Sequence, residues 1–422
     1  MTQLAVPEPA QHSAPSTQHS EGQRPLDGIR VVGFEQQIAG PYCTMILADQ
    51  GAEVIKIERP GKGDPAREMA PIKTNEQGQK NSGYYLRFNR NKKSITLDMT
   101  KPEGQGVYKD LVKTADVVVE NFKPGLADRL GIGYEALKPL NPGLVYTSIS
   151  GFGTDPRYQG PYSDRPAYDI ISQAMGGLME TCGQDPKGPP TWLGVSLGDS
   201  ISGLWAAFAT MLALFQRSVT GQGQYVDIAM VDAMVALAER SVLAYSLTGQ
   251  SITRGIERFI APWGPFKCTD GYVALICAIE ADWGKFCQAI GHPELLDRAD
   301  IQSGPGRCEH RDQWQPTADA WFAERTKAQA TEDLLAAGLP VGPVQNASDL
   351  FGDPHLQARQ MLPAIEDPII GPYQMAGPVP RLSGSEPCIG PAPTLGQHTE
   401  CVLRSIGYGP EKIAALRQAE VI

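Results

Sequence analysis

Several residues and motifs that enzymes commonly use are scarce in this sequence. Six histidines are spread over 422 residues without an HExxH or other close pair, and eight cysteines form no CxxC pair. A metal site and a disulfide framework are therefore not expected. Scattered thiols of this kind are typical of a protein in the reducing cytoplasm.

Nucleotide loops and basic charge are lacking as well. "GIGYEA" and "GFGTDP" each lack the third glycine of a dinucleotide loop, and no GxxxxGK[ST] occurs, which argues against NAD and ATP. The net charge of −10 argues against nucleic acid or an anionic membrane surface as a partner. The longest apolar stretch, residues 202–215, is too short to span a bilayer, so no membrane segment is expected.

The chain length and the order of its apolar segments predict the domain organisation. Residues 1–24 are rich in Pro, Ser and Gln, lack the apolar core of a signal peptide, and are expected to form a disordered tail. A chain of 422 residues favours two domains. We predict a large α/β domain, a connecting helix and linker, and a small α+β domain, with these bounds: 25–230 and 341–422, 231–263, and 264–340.

A repeating strand–helix pattern indicates a parallel sheet in the large domain. "IRVVGFE", "AGPYCTMILADQGA" and "EVIKIE" read as a strand, a helix and a strand, and the alternation continues through "SITLDM", "DVVVENF" and "GLVYTSISGF". This order predicts a doubly wound α/β sheet. The loops after "VGFE", "KIER", "VENF" and "SISGF" should then converge on one ligand crevice.

The segment from Lys56 to Lys93 is locally basic. It holds ten Lys or Arg residues against four acids, a balance of +6 in a chain that is acidic overall. A compact anionic ligand would suit this charge, although a solvated basic surface is the alternative interpretation.

Seven ordered motifs make the chain resemble the class III CoA-transferases, the family of formyl-CoA and carnitine CoA-transferases. They are "PLDGIRVV", "AGPYCTMILADQGAEVIKIERPGKGDPAR", "FNRNKKSITLDM", "ADVVVENFKPG", "RPAYDIISQAMGG", "GPPTWLGVSLGDSISG" and "TGQGQYVDIAM". The resemblance implies a Rossmann-like large domain, an interlocked homodimer, and coenzyme A as a substrate with no further cofactor. It also implies that CoA is bound by Gln37, Ala39, Arg59, Leu97, Asn121, Phe122 and Arg129. Core packing is the alternative role for Leu97 and Phe122, and simple surface charge is the alternative for the two arginines.

The resemblance further implies an aspartate nucleophile in a Gly-containing loop before "GPP", and Asp185 in "TCGQDPKGPPTWLG" is the acid that fits. An aspartate has an ordinary pKa near 3.9, so it is ionised at neutral pH and needs no histidine to activate it. The formyl-CoA members place the acid directly before "GPP", whereas one more residue stands here, and Asp before Pro also starts turns. Asp169 and Asp199 are alternative carboxylates, each also suited to capping a helix.

The implied reaction moves CoA from an acyl-CoA thioester to a carboxylic acid through an aspartyl anhydride and an aspartyl-CoA thioester. Backbone N–H groups of residues 183–188 are expected to stabilise the oxyanion. A small dicarboxylate such as succinate, malate or mesaconate is the expected acid. A 2-methylacyl-CoA racemase is one alternative, although Tyr168 stands where the racemases have histidine. A non-catalytic CoA-binding subunit is the other.

Overall fold

A computed structural model describes residues 24–255 and 259–422. The predicted tail, except for Arg24, lies outside the described residues. The strands are β1 (Arg30–Phe34), β2 (Glu53–Glu58), β3 (Ile72–Thr74), β4 (Lys80–Ser82), β5 (Lys93–Thr96), β6 (Val117–Glu120), β7 (Val145–Ser150), β8 (Tyr225–Ala229), β9 (Trp263–Cys268), β10 (Gly271–Ile276), β11 (Val341–Pro343), β12 (Ala364–Asp367) and β13 (Gly371–Gln374). The α-helices are α1 (Ala39–Asp49), α2 (Gly83–Asn89), α3 (Pro102–Val112), α4 (Leu126–Arg129), α5 (Tyr134–Leu137), α6 (Asp169–Met175), α7 (Leu178–Thr181), α8 (Leu197–Thr220), α9 (Met230–Leu237), α10 (Glu239–Thr248), α11 (Glu280–Ala289), α12 (Gly304–Glu309), α13 (Gln315–Ala323), α14 (Lys327–Ala336), α15 (Ala347–Gly352), α16 (Pro354–Ala358), α17 (Thr399–Ser405) and α18 (Pro410–Gln418).

A six-stranded sheet organises the first compact unit. Its order is β5-β2-β1-β6-β7-β8, and every neighbouring pair is parallel. The chain winds outward from β1 in one direction and then returns to β1 to wind in the other. The switch between the two directions falls between β1 and β6, where ligands of such sheets bind at the carboxyl ends of the strands. The predicted mixed α/β fold with a large parallel sheet is confirmed.

Both faces of this sheet are covered, and apolar residues of its strands are buried on each side. Val32, Ile55 and Val118 point to a cluster shared with α3, α17 and α18. Val31 and Val117 point the other way, to a cluster shared with α1 and α8. Successive strand residues thus bury opposite faces of the sheet.

The first unit is assembled from three parts of the chain: the described residues up to Tyr168, then Asp199–Met230, then Pro363–Ile422. The last part returns to the N-terminal strands. The Arg90 guanidinium donates to the Ala376 carbonyl at 2.6 Å, and the Asp98 N–H donates to the Val421 carbonyl at 2.7 Å.

The second unit comprises Asp169–Gly198 and Val231–Leu362, apart from three residues outside the described range. An antiparallel sheet in the order β11-β10-β9 packs against α11, α13 and α14 around buried Trp283, Trp314 and Phe322. The sequence predicts residues 264–340 for this unit. Among the described residues, the structure adds 169–198, 231–255, 259–263 and 341–362, because these segments cluster with the second unit.

Helix α8 is the longest helix, and one of its faces is apolar and exposed. Over 18 residues its mean hydropathy is 1.3, so length and composition alone would let it cross a membrane. A helix from the interior of a folded domain has the same properties. Its Ala206, Ala207 and Ala213 are buried in the core beneath the sheet, while Phe208 and Phe215 are exposed.

Candidate active site

The loops after β1, β6 and β7 converge on one crevice in the first unit, as the strand pattern predicts, whereas the loop after β2, which was expected to join them, does not line it. We call it the strand-end crevice; its volume is about 100 Å³. It is lined by Gln36, Gln37, Ile38, Ala39, Asn121, Phe122, Lys123, Pro124, Ile149, Ser150, Gly151, Arg165, Pro166, Ala167, Tyr168, Asp199 and Met230. This volume can enclose the reacting end of a substrate but not a whole nucleotide.

Two hydrogen bonds between the Asn121 side chain and the backbone of Gln36 connect two walls of the crevice. The Asn121 Oδ1 accepts the Gln36 N–H at 2.9 Å, and its Nδ2 donates to the Gln36 carbonyl at 3.0 Å. A Cβ on Gly40 would lie 2.6 Å from the Glu35 Cβ and 3.0 Å from the Asn121 side chain, so only glycine permits this close approach. Asn121 therefore lines the crevice and also fixes the loop after β1.

Asp199 is the one carboxylate among the described residues that line the strand-end crevice. It lies in the first turn of α8, which begins at Leu197, so it is not the N-cap residue that its sequence context suggested. The position of α8 depends on Gly203, one turn later. A Cβ there would lie 2.6 Å from the Ala39 carbonyl oxygen and 3.2 Å from Tyr42. Gly203 thus lets α8 bring Asp199 to the crevice.

Asp199 affects the pKa of a neighbouring tyrosine, Tyr84. Burial raises the pKa of Tyr84, Arg87 opposes that rise, and Asp199 adds to it. A carboxylate in the first turn of a helix is stabilised in its charged form by the helix dipole. Asp199 thus places a carboxylate at the crevice.

Asp169 performs a structural task in the second unit. Its buried carboxylate accepts hydrogen bonds from the Gln173 amide, from the Trp192 indole at 2.9 Å, and from the Gly198 N–H at 2.7 Å. Gly198 is confined to this place, because a Cβ would lie 2.0 Å from the Ser172 Oγ. A carboxylate that binds this many donors is a poor nucleophile, so the structure favours anchoring as the role of Asp169.

Asp185 also belongs to the second unit. It is exposed, and its Oδ1 accepts the Lys187 N–H at 2.9 Å, the geometry of a turn formed by an aspartate side chain. Arg254 fixes the same loop by donating to the Gly188 carbonyl at 2.9 Å. This geometry agrees with the turn interpretation of Asp185; its role as nucleophile stays a prediction.

The predicted CoA-binding residues fall into two groups. Gln37, Ala39, Asn121 and Phe122 line the strand-end crevice. The other three do not: Leu97 is fully buried in the core, whereas Arg59 and Arg129 are exposed. Arg59 follows β2 directly and Arg129 ends α4, so both stand on elements that leave the carboxyl edge of the sheet.

Phe122 separates the strand-end crevice from a second cavity. Its ring stacks on Phe34 with centroids 4.2 Å apart. The second cavity has a volume of about 620 Å³ and is lined by Phe122, Tyr134, Tyr146 and Tyr225, with Glu120 among its walls. We call it the Tyr225 cavity.

Glu120 ends β6 and is buried beside the Tyr225 cavity. Its carboxylate accepts a hydrogen bond from the Ser148 hydroxyl and another from the Phe122 N–H. Burial raises the pKa of Glu120 to about 7, because the loss of water outweighs both hydrogen bonds, and Asp128 and Asp227 add to the rise.

The sequence interpretation considered Asp199 only as an alternative carboxylate suited to capping, and it missed Gln36 and Arg165 as crevice residues. Two signals could have identified Asp199: it is the acid in "LGDSISG", and glycines one residue before and four residues after it interrupt an otherwise apolar helix. Gln36 could have been found because three polar residues, Glu35, Gln36 and Gln37, directly follow β1. No group of three or more His, Cys, Asp or Glu side chains that could hold a metal occurs within 24–255 and 259–422.

A doubly wound sheet that presents a carboxylate at its switch point, without a glycine-rich nucleotide loop, argues against dinucleotide-dependent dehydrogenases and P-loop kinases and leaves other classes of enzyme open. The comparison with known proteins identifies which. The chain belongs to CoA-transferase family III, whose family model matches residues 26–399, and the protein is a CoA-transferase.

Relatives agree over nearly the whole chain. The succinyl-CoA:mesaconate CoA-transferase of Haloarcula hispanica is 39% identical over 395 residues, covering 91% of this chain and 97% of its own. The succinyl-CoA–D-citramalate CoA-transferase of Chloroflexus aurantiacus is 38% identical and covers 94% and 98%. The crystal structure of a CAIB/BAIF family protein from Brucella suis superposes with a TM-score of 0.81 at 33% identity, covering 91% of this chain and 100% of that one.

Proposed function

We propose that the enzyme transfers CoA from succinyl-CoA to a small dicarboxylic acid, with mesaconate, citramalate and malate as the first candidates. The similarity to transferases named for mesaconate and D-citramalate carries this proposal. A transferase named for L-malate is 35% identical over 408 residues, covering 94% of this chain and 98% of its own. Lys123 and Arg165, two cations on the wall of the strand-end crevice, would complement an anionic substrate.

We propose Asp199 as the nucleophile, and Asp185, the nucleophile predicted from the sequence, is the alternative. Asp199 lines the crevice together with Gln37, Ala39 and Asn121, four residues of one compact unit. Asp185 is exposed in a turn of the other unit and uses its side chain to stabilise that turn. A nucleophile must lie within reach of the bound carbonyl, so residues that share one crevice satisfy the first geometric requirement.

In the proposed reaction, an Asp199 carboxylate oxygen attacks the thioester carbonyl of succinyl-CoA and CoA thiolate leaves. The thiolate then attacks the aspartyl carbonyl of the resulting anhydride, which releases succinate and leaves CoA bound to Asp199 as a thioester. The acceptor carboxylate attacks this thioester and expels CoA thiolate again. The thiolate attacks the acyl carbonyl of the new anhydride, and the new acyl-CoA leaves with the Asp199 carboxylate restored.

The walls of the crevice would bind and shield these intermediates. Water must be excluded because it would hydrolyse either the anhydride or the aspartyl thioester. Helix α1 begins at Ala39 and no side chain caps its first turn, so backbone N–H groups at its start face the crevice side as donors to developing negative charge. Arg59 and Arg129, exposed on elements at the same edge of the sheet, would bind CoA phosphates outside the crevice.

The test compares wild type with Asp199→Asn and Asp185→Asn in one assay. Each protein is incubated with succinyl-CoA and a panel of dicarboxylic acids, and new CoA esters are identified by mass spectrometry. Loss of the nucleophile should lower the rate by at least about 1,000-fold in Asp199→Asn, whereas Asp185→Asn should keep most of it. With succinyl-CoA alone, the wild-type peptide that contains Asp199 should gain the mass of CoA minus one water.

The opposite pattern, with Asp185→Asn inactive and Asp199→Asn active, would restore the nucleophile predicted from sequence. If none of the three proteins forms a new CoA ester, but wild type introduces deuterium at the acyl α-carbon in heavy water, the racemase alternative is supported instead. CoA binding without either reaction would support the non-catalytic subunit.

We also propose that the protein is a homodimer, located in the cytoplasm. The exposed apolar face of α8 supports the dimer, because a contiguous apolar patch on a protein surface often marks an interface. The large apolar side chains on this face are Leu204, Trp205, Phe208, Met211, Leu212, Phe215 and Val219. Light scattering on purified protein should give twice the 45.5 kDa of the chain, and Phe208→Lys should shift it toward the monomer. A wild-type monomer would refute the dimer.

A further inference from the structure

A cluster of fully buried charges lies directly behind the strand-end crevice. Lys56 on β2 donates to the Glu35 carboxylate at 2.7 Å and lies 2.9 Å from the Asp64 carboxylate. Lys92 donates to the other Glu35 oxygen at 3.2 Å. All four side chains are buried. The cluster thus consists of two cations and two anions that belong to the basic segment and to the end of β1.

These ion pairs account for part of the basic charge that suggested an anionic ligand. Burial opposes the charged form of Lys56, but the attraction of Asp64 and Glu35 is stronger, and its pKa is raised. Burial lowers the pKa of Lys92 to about 8, with Glu35 opposing and Lys56 adding to the decrease. Removing charges from water is costly, and apolar side chains of similar size often stabilise a fold as well. Stability alone therefore does not explain why these four charges are buried, and a further role is expected.

The cluster holds the crevice loop through its backbone. The Lys56 ammonium donates to the Glu35 carbonyl at 3.0 Å. Two residues later, the Gln37 N–H donates to the two Asp64 carboxylate oxygens at 3.1 and 3.2 Å. Between them, Asn121 binds the backbone of Gln36. Three successive residues of the loop are thus fixed by side chains from other parts of the first unit.

Gln37 has an unusual backbone conformation for a residue with a side chain. Its φ is +62°, in the left-handed region that is costly for residues other than glycine. Such a conformation persists where surrounding contacts hold it, and it is typical of functional sites. The hydrogen bond to Asp64 is the contact made by the Gln37 N–H itself, and the next two residues, Ile38 and Ala39, continue the crevice wall into α1.

We propose that Asp64, anchored by Lys56, is a positioning residue that holds Gln37 in its left-handed conformation and so preforms the Gln36–Ala39 wall for acyl-CoA. The inference rests on the proposed CoA site in the strand-end crevice. Without the Asp64 acceptor, the loop relaxes toward ordinary backbone conformations, and only a fraction of molecules offers the binding wall. The apparent affinity for CoA falls by that fraction.

The test is a double-mutant cycle with Asp64→Ala and Gln37→Gly, read out as the Kd for CoA by calorimetry. Asp64→Ala should weaken binding about tenfold in the wild-type background, a factor that matches the ordinary cost of a left-handed residue with a side chain. Glycine adopts this conformation without that cost. The same Asp64→Ala change should therefore weaken binding less than about threefold when residue 37 is glycine, because the fraction of competent loops then depends little on Asp64.

Glu53→Ala is the matched control. Glu53 is also a carboxylate of the first unit with two cationic partners, Arg30 at 2.7 Å and Lys93 at 2.5 Å, but it begins β2, at the opposite end of that strand from the crevice. Its removal should lower the unfolding temperature without changing the Kd. Asp64→Asn keeps the side-chain size and one oxygen acceptor, so it should weaken CoA binding less than Asp64→Ala does. This variant replaces Asp64→Ala in the cycle if Asp64→Ala does not fold.

An equal loss of affinity from the Asp64 change in both backgrounds, or an unchanged Kd with a lower unfolding temperature, would overturn the positioning role and leave a structural one. If wild-type protein itself does not bind CoA, the proposed function fails rather than this inference. The two failures are therefore distinguishable within one set of titrations.

Discussion

The buried carboxyl of Glu120 makes the stability of the first unit depend on pH. The pKa of Glu120 is raised from 4.5 to about 7 by burial. Because the folded state binds this proton more tightly than the unfolded chain does, the resulting stabilisation is fully present below about pH 4.5 and is lost as pH rises to about 7. This rise in the pKa of Glu120 corresponds to about 3 kcal/mol.

Glu120→Gln removes this titration and keeps the side-chain size. The Gln oxygen can accept the Phe122 N–H, and its amide can donate to the Ser148 hydroxyl, so both present partners remain bonded. Relative to wild type, the variant should gain about 2–3 kcal/mol between pH 5 and pH 8, because wild type has already lost a small part of the stabilisation at pH 5. That is a rise in unfolding temperature of roughly 5–10 °C relative to wild type over the same interval.

The measurement is the unfolding temperature of both proteins by circular dichroism at half-unit steps from pH 5 to pH 8.5. Glu53→Gln is the control, because Arg30 and Lys93 lower the pKa of Glu53 despite its partial burial, and its titration lies below this range. Parallel curves for wild type and Glu120→Gln would refute the reasoning and show that Glu120 is ionised in the folded protein throughout.

Three further predictions concern the crevice. Gly203→Ala would place a methyl group 2.6 Å from the α1 backbone, displace α8 and lower kcat at least tenfold. Gly106→Ala is the control: its methyl group meets no atom within 4 Å, so kcat should not change in the same assay. Asn121→Ala removes two hydrogen bonds from the β1 loop and should raise the KM for succinyl-CoA about tenfold; an unchanged KM would contradict its positioning role. Arg59→Gln and Arg129→Gln should each weaken CoA binding and flatten its dependence on salt concentration, and calorimetry at two ionic strengths checks this.

Local patterns were sufficient to predict the large sheet. "IRVVGFE" and "EVIKIE" are short apolar runs on either side of a helical pattern with proline near its start, and each local preference agrees with the tertiary position of the segment. The small hairpin of β3 and β4 was not predicted, because its strands have three residues each and carry mostly polar side chains.

The choice among carboxylates could not be made from local sequence. Asp185 stands in a loop that looks functional because it is rich in Gly and Pro, and Asp199 stands where helices are ordinarily capped. What separates them is convergence: residues 36–39, 121–124 and 199 meet because parallel strands end at one edge, and that meeting has no signature within any single segment.

The buried charges behind the crevice were beyond sequence reasoning for a related reason. Lys56 and Glu35 are separated by 21 positions, and Lys92 and Glu35 by 57. A count of charges within one segment cannot show that partners outside it neutralise them. The +6 balance therefore overstated the charge that is free to bind an anion, and Arg59 is the exposed cation within it that the proposal retains.

Because the first unit is assembled from three parts of the chain, it can be completed only late in protein synthesis. The carbonyl of Val421 receives a hydrogen bond from Asp98, and α17 and α18 complete the core beneath β5, so the sheet lacks part of its covering until residues 399–422 have emerged from the ribosome. Synthesis of the intervening chain at roughly 5–20 residues per second takes on the order of tens of seconds. During that interval Ile95 and Leu97 lack their final packing partners, so the sheet remains without part of its apolar covering until synthesis ends.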